Sequence, residues 1–193
     1  MKKIGITGGI GSGKSFISEI IKAMGYPVFN SDMVAKDIMN NNVDTIKFII
    51  NNFGSSSYHN GTINKAYLAK QFFNNPEKLK IINNHIHPKV RDQFDDFCNV
   101  SNSDFIFNES AIIFETGIQE RFDAVVLILS PKELRIKRIM DRDDVSLEDV
   151  TKRMDNQLSD EQKLPLTKFH INNDNESPLL IQIHDFIEEL SSI

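Results

Sequence analysis

The chain carries, at residues 8–15, the stretch Gly8-Gly9-Ile10-Gly11-Ser12-Gly13-Lys14-Ser15. This stretch fits G-x-x-x-x-G-K-[ST], the pattern of the phosphate-binding P-loop. Residues 1–7 contain a short apolar run that predicts a strand, and residues 16–24 place apolar side chains at helical spacing. Because strand, glycine loop and helix occur in the order that the motif requires, we interpret the stretch as a site for nucleotide phosphates, and not as a chance glycine turn before Lys-Ser.

The residue types of the loop explain how it binds an anion. Its glycines carry no Cβ atom, so backbone N–H groups can approach the phosphates closely and the chain can adopt positive φ. The predicted helix begins near Lys14 and directs the positive end of its dipole at the phosphates. Lys14 adds a full charge near the β- and γ-phosphates, and Ser15 offers a hydroxyl ligand to Mg2+. The sequence therefore predicts binding of a nucleoside triphosphate with Mg2+.

Composition limits the other classes of protein. The chain has 193 residues, with 40% hydrophobic and 25% charged residues, which is typical of a globular domain. Its net charge of -5 argues against nucleic acid as a partner. A single cysteine, Cys98, excludes an internal disulfide, and His85 and His87 lie only two positions apart, which does not favour zinc. With no run of eighteen apolar residues and no signal-peptide pattern, we expect no membrane association and a cytoplasmic location; the oligomeric state is left open.

Apolar runs that predict strands alternate with helical patterns along the chain. Five such strands are predicted, near residues 1–7, 26–30, 104–108, 124–129 and 169–171. This order predicts a three-layer α/β/α fold with a five-stranded parallel sheet, forming one domain over residues 1–193. A crossover usually needs one helix, so the excess helical pattern over residues 56–102 predicts an inserted helical subdomain.

Asp32 follows the second predicted strand. Ligands of parallel α/β sheets bind at the carboxyl ends of the strands, where a catalytic carboxylate would be placed. The structural alternative is that Ser31 or Asp32 caps the following helix. The pattern alone leaves both roles open.

A P-loop does not by itself separate a switch GTPase, a motor ATPase and a small-molecule kinase. The closest match to the base-reading tetrad of GTPases, Asn64-Lys65-Ala66-Tyr67, lacks the final Asp. Motor ATPases place an acidic Mg2+ ligand after an apolar strand, and residues 124–129 are followed by Ser130 instead. Glu109 does follow the apolar residues 105–107, so this second exclusion is only partial.

Three arginines, Arg135, Arg138 and Arg142, share one face of a predicted helix. Arg138 and Arg142 lead into a polar segment that is suited to closing over a nucleotide. Such a lid excludes water, and its arginines neutralise charge on the transferring phosphoryl group. This favours a kinase, although a solvated helix face gives the same pattern.

The motifs of the chain, in order, resemble the dephospho-coenzyme A kinase family over residues 3–190. They are the T-G-G-I-G-S-G-K-S loop at residues 7–15, the D-A-D-like triplet Asn30-Ser31-Asp32, His87-Pro88, the V-P-L-L-F-E-like segment Ser110-Ala111-Ile112-Ile113-Phe114-Glu115, the K-R-x-x-x-R-D pattern at residues 137–143, and R-x-x-x-Q at residues 153–157. Two positions depart from the family pattern. Asn30 replaces the first acid of the triplet, so only Asp32 carries over as the carboxylate, and Ala111 replaces a proline.

The resemblance implies ATP-dependent phosphorylation of the ribose 3′-hydroxyl of dephospho-CoA, the last step to CoA, with ATP and Mg2+. It implies that residues 56–102 bind the acceptor and that residues 138–163 form a lid. The implied catalytic residues are Asp32, Lys14, Arg138 and Arg142, and the implied metal ligands are Ser15 and Asp32. The implied ATP contacts are Gly9 to Ser15, Arg142, and Asn172 or Asn173 beside adenine. The implied acceptor contacts are Thr7, Asp32, His87, Phe114 and Glu115. Two alternatives stay open: a kinase of another small alcohol or nucleotide, and a nucleotide-regulated binding protein.

Overall fold

Strands and helices alternate along the chain in the computed structural model, which describes residues 1–72 and 75–192. Residues 73 and 74, inside the predicted insertion over 56–102, lie outside the described residues, as does residue 193. The strands are β1 (Lys2–Thr7), β2 (Val28–Asn30), β3 (Tyr58–His59), β4 (Thr62–Ile63), β5 (Phe105–Glu109), β6 (Ala124–Leu129) and β7 (Phe169–Asn172). The α-helices are α1 (Lys14–Ala23), α2 (Ser31–Asn41), α3 (Val43–Phe53), α4 (Lys65–Phe72), α5 (Pro76–Asn99), α6 (Lys132–Asp143), α7 (Leu147–Asp155), α8 (Asp160–Lys163) and α9 (Leu179–Ser191).

Five strands form the main sheet, in the order β2-β5-β1-β6-β7, and all are parallel. In the central register Ile6 pairs with Glu109 of β5 and with Val126 of β6. The carboxyl ends of β5, β1 and β6 therefore meet at one edge, where the loop after β1 also begins. The predicted parallel sheet is confirmed.

Apolar side chains cover both faces of this sheet. Alternate residues of β1, β5, β6 and β7, such as Ile6 and Val126, pack with α1 and α9 on one face. The residues between them, such as Val125 and Leu127, pack with Ile113 on the other face. A strand that is buried on both faces has to be apolar throughout, which explains the continuous run of β6. The predicted three-layer arrangement is confirmed.

The chain divides into two compact units, Met1–Phe29 with Ser101–Ile193, and Asn30–Val100. The second unit contains α2, α3, the short antiparallel pair β3–β4, α4 and α5. Helix α5 continues through Pro88 and buries one residue per turn, Ile82, Ile86, Val90, Phe94 and Cys98. The narrower limits of 56–102 for an acceptor-binding insertion stay a prediction.

A membrane-spanning helix is not found in the described residues, since no helix there combines the necessary length with enough apolar side chains.

Candidate active site

The P-loop connects the carboxyl end of β1 to the first turn of α1. Gly13 is the N-cap of α1 and has a φ of 90°, a backbone conformation that residues with a side chain rarely adopt. A Cβ atom on Gly13 would lie 2.0 Å from Nδ2 of Asn173, and one on Gly9 would lie 2.0 Å from Nη2 of Arg135. Gly13 requires glycine because of its backbone conformation, whereas a Cβ atom at Gly9 would displace the guanidinium group of Arg135 from the loop.

Lys14 lies at the start of α1 and is 8% exposed. Its Nζ atom donates hydrogen bonds to the carbonyl oxygens of Gly8 at 2.8 Å and Gly9 at 3.3 Å. The ammonium group is therefore held against the loop, at the end of a helix whose dipole also favours anions. Backbone dipole and side-chain charge act at the same place, which is the electrostatic requirement of a triphosphate site.

Ser15 and Glu109 place two oxygen atoms together beside the loop. The exposed Ser15 donates its hydroxyl to Oε1 of Glu109 at 2.6 Å, and Glu109 is the last residue of β5 and 4% exposed. A hydroxyl and a carboxylate are hard oxygen donors of the kind that Mg2+ prefers, so these residues fit a magnesium ion. Our sequence-based site did not include Glu109, although its place after an apolar strand was the available signal.

Arg135 is a second residue that the sequence-based site did not include. It lies on α6, and its side chain donates from Nε to the carbonyl oxygen of Ile10 at 3.0 Å and from Nη1 to Oδ2 of Asp160 at 3.0 Å. The sequence predicted that three arginines, Arg135, Arg138 and Arg142, share one face of a helix. Arg135 contacts the P-loop itself.

Arg138 and Asn173 connect α6, the end of β7 and the loop. Arg138 donates to Oγ of Ser130 at 3.1 Å and to the carbonyl oxygen of Asn173 at 3.3 Å. Asn173 in turn donates from Nδ2 to the carbonyl oxygen of Ser12 at 2.8 Å. Of the two predicted asparagines, Asn173 is the one in contact with the loop.

A cleft of about 250 Å³ opens at the carboxyl ends of β6 and β7. It is lined by Leu129, Ser130, Pro131, Asp160, Asn172 and Asp174. Asn172 therefore lines the cleft, while the neighbouring Asn173 contacts the loop. The cleft and the loop share the carboxyl edge of the sheet, where ligands of parallel α/β sheets bind.

Arg142 lies on the last turn of α6, with 63% of its side chain exposed. Its Nε atom lies 2.7 Å from Oδ1 of Asp143, whose other oxygen lies 2.6 Å from Nη1 of Arg153. Hydrogen bonds from Arg142, and then from Arg153, lower the pKa of Asp143 to about 2. Arg142 thus points to solvent with its charge paired to a neighbour, and its predicted contact with nucleotide stays a prediction.

Asp32 is the second residue of α2, in the unit 30–100. The expectation that Ser31 or Asp32 caps this helix was wrong: Asn30 is the N-cap, and its side chain accepts a hydrogen bond from the N–H of Met33 at 2.9 Å. The amide oxygen of Asn30 serves as well as a carboxylate in this position, which gives the departure from the acidic triplet a structural explanation. The capping role is filled without Asp32.

Three of the predicted acceptor contacts lie in the sheet-containing unit. Thr7 is fully buried at the end of β1, and Phe114 is 7% exposed in the core. Glu115 accepts at Oε1 from the N–H of Leu158 at 3.2 Å, and the same oxygen lies 2.7 Å from Nζ of Lys163. Their contacts with an acceptor stay predictions.

His87, which like Asp32 is a predicted acceptor contact, lies on α5 in the other unit. Burial, and then the charge of Arg91, lower the pKa of His87, so its ring is neutral near pH 7. The nearby His85 stacks on Phe48, with ring centroids 3.9 Å apart, and lies 3.1 Å from the hydroxyl of Thr45. His85 therefore packs within this unit, and the contact of His87 with an acceptor stays a prediction.

The sequence matches the family model described as "CoaE: Dephospho-CoA kinase" over residues 2–178. A dephospho-CoA kinase of Bacteroides fragilis is 38% identical over 186 residues, 96% of this chain and 91% of the relative. A dephospho-CoA kinase of Campylobacter jejuni with a solved structure is 32% identical, with a TM-score of 0.69 and coverage of 98% and 97% of the two chains. The crystal structure of TT1252 from Thermus thermophilus gives a TM-score of 0.84 at 28% identity, covering 99% of this chain and 96% of TT1252.

These matches span nearly the whole chain and include every residue of the P-loop. The resemblance inferred from the motifs is therefore confirmed, and with it the interpretation as a kinase. The chain belongs to the dephospho-CoA kinase family.

Proposed function

We propose that this chain transfers the γ-phosphoryl group of ATP to the ribose 3′-hydroxyl of dephospho-CoA, giving CoA and ADP, the last step of CoA biosynthesis. The observation that carries this proposal is the family match over residues 2–178, within which the P-loop keeps Lys14 against its backbone. A kinase of this type requires a water-soluble nucleotide pool, and we expect the cytoplasm as its location.

The P-loop supplies the binding energy for the triphosphate in this proposal. Its backbone N–H groups and the first turn of α1 bind the phosphates, and Lys14 adds its charge at the β- and γ-phosphates. The cleft beside Asn172 offers a place for the nucleoside, with Arg138 and Asn173 between the cleft and the loop. Phosphoryl transfer passes through a loose transition state. The protein therefore contributes mainly by positioning the reactants and neutralising charge, and not by covalent chemistry.

Ser15 and Glu109 would hold Mg2+ in this proposal, and the role of Asp32 as a metal ligand stays a prediction from the sequence. When bound, the ion neutralises charge on the β- and γ-phosphates. Ser15 is an exposed residue and Glu109 is buried, so Glu109 fixes the orientation of the Ser15 hydroxyl through their 2.6 Å hydrogen bond.

Glu109→Gln tests the metal site. We expect the Mg2+ concentration for half-maximal activity to rise about tenfold or more, the usual cost of losing a metal-site carboxylate or its outer partner. A second readout needs no turnover: titration of ADP with and without Mg2+ should show that the variant loses most of the tightening by Mg2+. Glu120→Gln makes the same change at an exposed position and serves as the control. Unchanged Mg2+ dependence in Glu109→Gln would remove Glu109 from the site.

Arg142→Ala tests the proposed lid. We expect kcat to fall about 10²-fold, the lower end of the range for one lost charge at a transition state. The melting temperature should change little, because an exposed ion pair contributes little to stability. Lys152→Ala, which removes another exposed cation paired to a neighbouring acid, is the control. Equal kcat values for both variants would show that Arg142 has no special role.

The proposed reaction is tested by ADP release in the presence of dephospho-CoA and of a panel of other small alcohols and nucleotides. Dephospho-CoA should give the highest kcat/KM in the panel. Another acceptor with a higher value would replace the proposed substrate. Binding of ATP without turnover on any acceptor would instead support a nucleotide-regulated binding protein.

A further inference from the structure

Ile10, at the tip of the P-loop, has both polar groups of its backbone bound by distant side chains. Its N–H donates to Oε1 of Gln157 at 2.7 Å, and its carbonyl oxygen accepts from Nε of Arg135 at 3.0 Å. Ile10 lies between Gly9 and Gly11, the most flexible type of residue in a chain. The side chains of Gln157 and Arg135 therefore fix the part of the loop that glycine leaves free.

Residues 157–163, which we name the strap, are themselves anchored at several points. Asp160 accepts the second hydrogen bond of Arg135, and the N–H of Leu158 donates to Glu115 at 3.2 Å. Lys163 is fully buried, and its Nζ atom lies 2.7 Å from Oε1 of Glu115. The strap is thus joined to α6 and to the segment after β5, which makes Gln157 a rigid acceptor for the loop.

Hydrogen bonds also fix the backbone on both sides of Gln157, the first residue of the strap. Its own N–H donates to the carbonyl oxygen of Met154 at 3.0 Å at the end of α7, and Ser159 starts α8 with a reciprocal capping box to Gln162. Both ends of the turn are closed by hydrogen bonds, so the side chain of Gln157 starts from a fixed backbone. Removing this one side chain should loosen Ile10 without unfolding the strap.

We propose that Gln157 is a positioning residue for nucleotide binding, which acts by holding the N–H of Ile10 so that the P-loop is preorganised for phosphates. A loop that is already ordered loses less entropy when the anion binds, and the affinity rises accordingly. This inference rests on the proposed function only in taking the P-loop as the nucleotide site, and it does not depend on the identity of the acceptor.

The test is Gln157→Leu, which keeps the size of the side chain and removes the acceptor. Calorimetric titration of the whole protein with Mg·ADP should give a Kd about five- to tenfold higher, because one hydrogen bond contributes about 1 kcal/mol. Gln93→Leu, the same change at an exposed position of α5, should leave the Kd unchanged. In steady-state assays the KM for ATP should rise more than kcat falls.

Hydrogen exchange separates positioning from general stability. Without nucleotide, Gln157→Leu should lose amide protection in peptides covering residues 8–16 and keep it in peptides covering β6. Gln157→Glu keeps an acceptor oxygen and should retain the protection of the loop. An unchanged or lower Kd in Gln157→Leu would overturn the proposal, since a lower value would mean that Gln157 competes with phosphate for Ile10. Loss of protection throughout the protein would also overturn it.

Discussion

Lys14→Ala should lower kcat about 10³-fold at saturating ATP and acceptor, near the upper end of the range for removing one preorganised donor to a transition state. The ammonium group of Lys14 is held at the loop by the carbonyl oxygens of Gly8 and Gly9, on the first residue of α1. In the proposed mechanism, the positive charge of Lys14 stabilises the charge on the transferring phosphoryl group. The measurement is kcat from ADP release.

The fold of this variant should survive, since alanine is the best helix former at the start of α1. Lys14→Met, which keeps most of the aliphatic stem, should show the same loss of kcat and a circular dichroism spectrum like that of the unmodified protein. Turnover within threefold of normal in either variant would remove Lys14, and the P-loop assignment with it, from the proposed mechanism.

Asp32→Asn should lower kcat by between about 10² and 10⁴-fold, the range of general acid–base assistance by a positioned side chain. The carboxylate of Asp32 is proposed to orient the 3′-hydroxyl and accept its proton as the phosphoryl group arrives. Asparagine keeps the shape of the side chain and loses the basic oxygen. The loss should appear in kcat more than in the KM for dephospho-CoA.

The structural alternative for Asp32 makes a different prediction. Asn30 already caps α2, so Asp32→Asn should change stability only by the small dipole contribution of a charge in the first turn, about 0.3–1 kcal/mol. Asp37→Asn, at an exposed position of the same helix, is the matched control and should keep normal activity. A loss of kcat below about threefold in Asp32→Asn would leave Asp32 without a catalytic role.

Local patterns of the sequence were sufficient to predict the sheet and the P-loop. The apolar run of β6 requires burial on both faces, and the glycine loop between a strand and a helix has few structural alternatives. The exact residue at which a helix begins was less predictable. The cap of α2 lies at Asn30, one residue before Ser31 and two before Asp32. The sequence could not select among these positions, because Asn, Ser and Asp are equally good caps.

The residues missed at the site share a different property. Gln157 and Arg135 contact Ile10 across 147 and 125 positions of sequence, and Glu109 meets Ser15 across 94 positions. No local periodicity encodes such pairings, because they depend on how elements that are distant in sequence pack together. The ion pair of Glu115 was likewise not predictable from local sequence. The family motif implied a substrate contact for Glu115, and in the structure its carboxylate lies 2.7 Å from Nζ of Lys163.

The most direct test of the account follows the phosphoryl group itself. The protein is incubated with Mg2+, dephospho-CoA and ATP labelled in its γ-phosphate, and the products are separated and identified by mass spectrometry. We expect one labelled phosphate per molecule of CoA, attached at the ribose 3′ position, and no labelled CoA from Lys14→Ala in the same time. Label recovered only in inorganic phosphate, or in CoA at a position other than 3′, would contradict the proposed function.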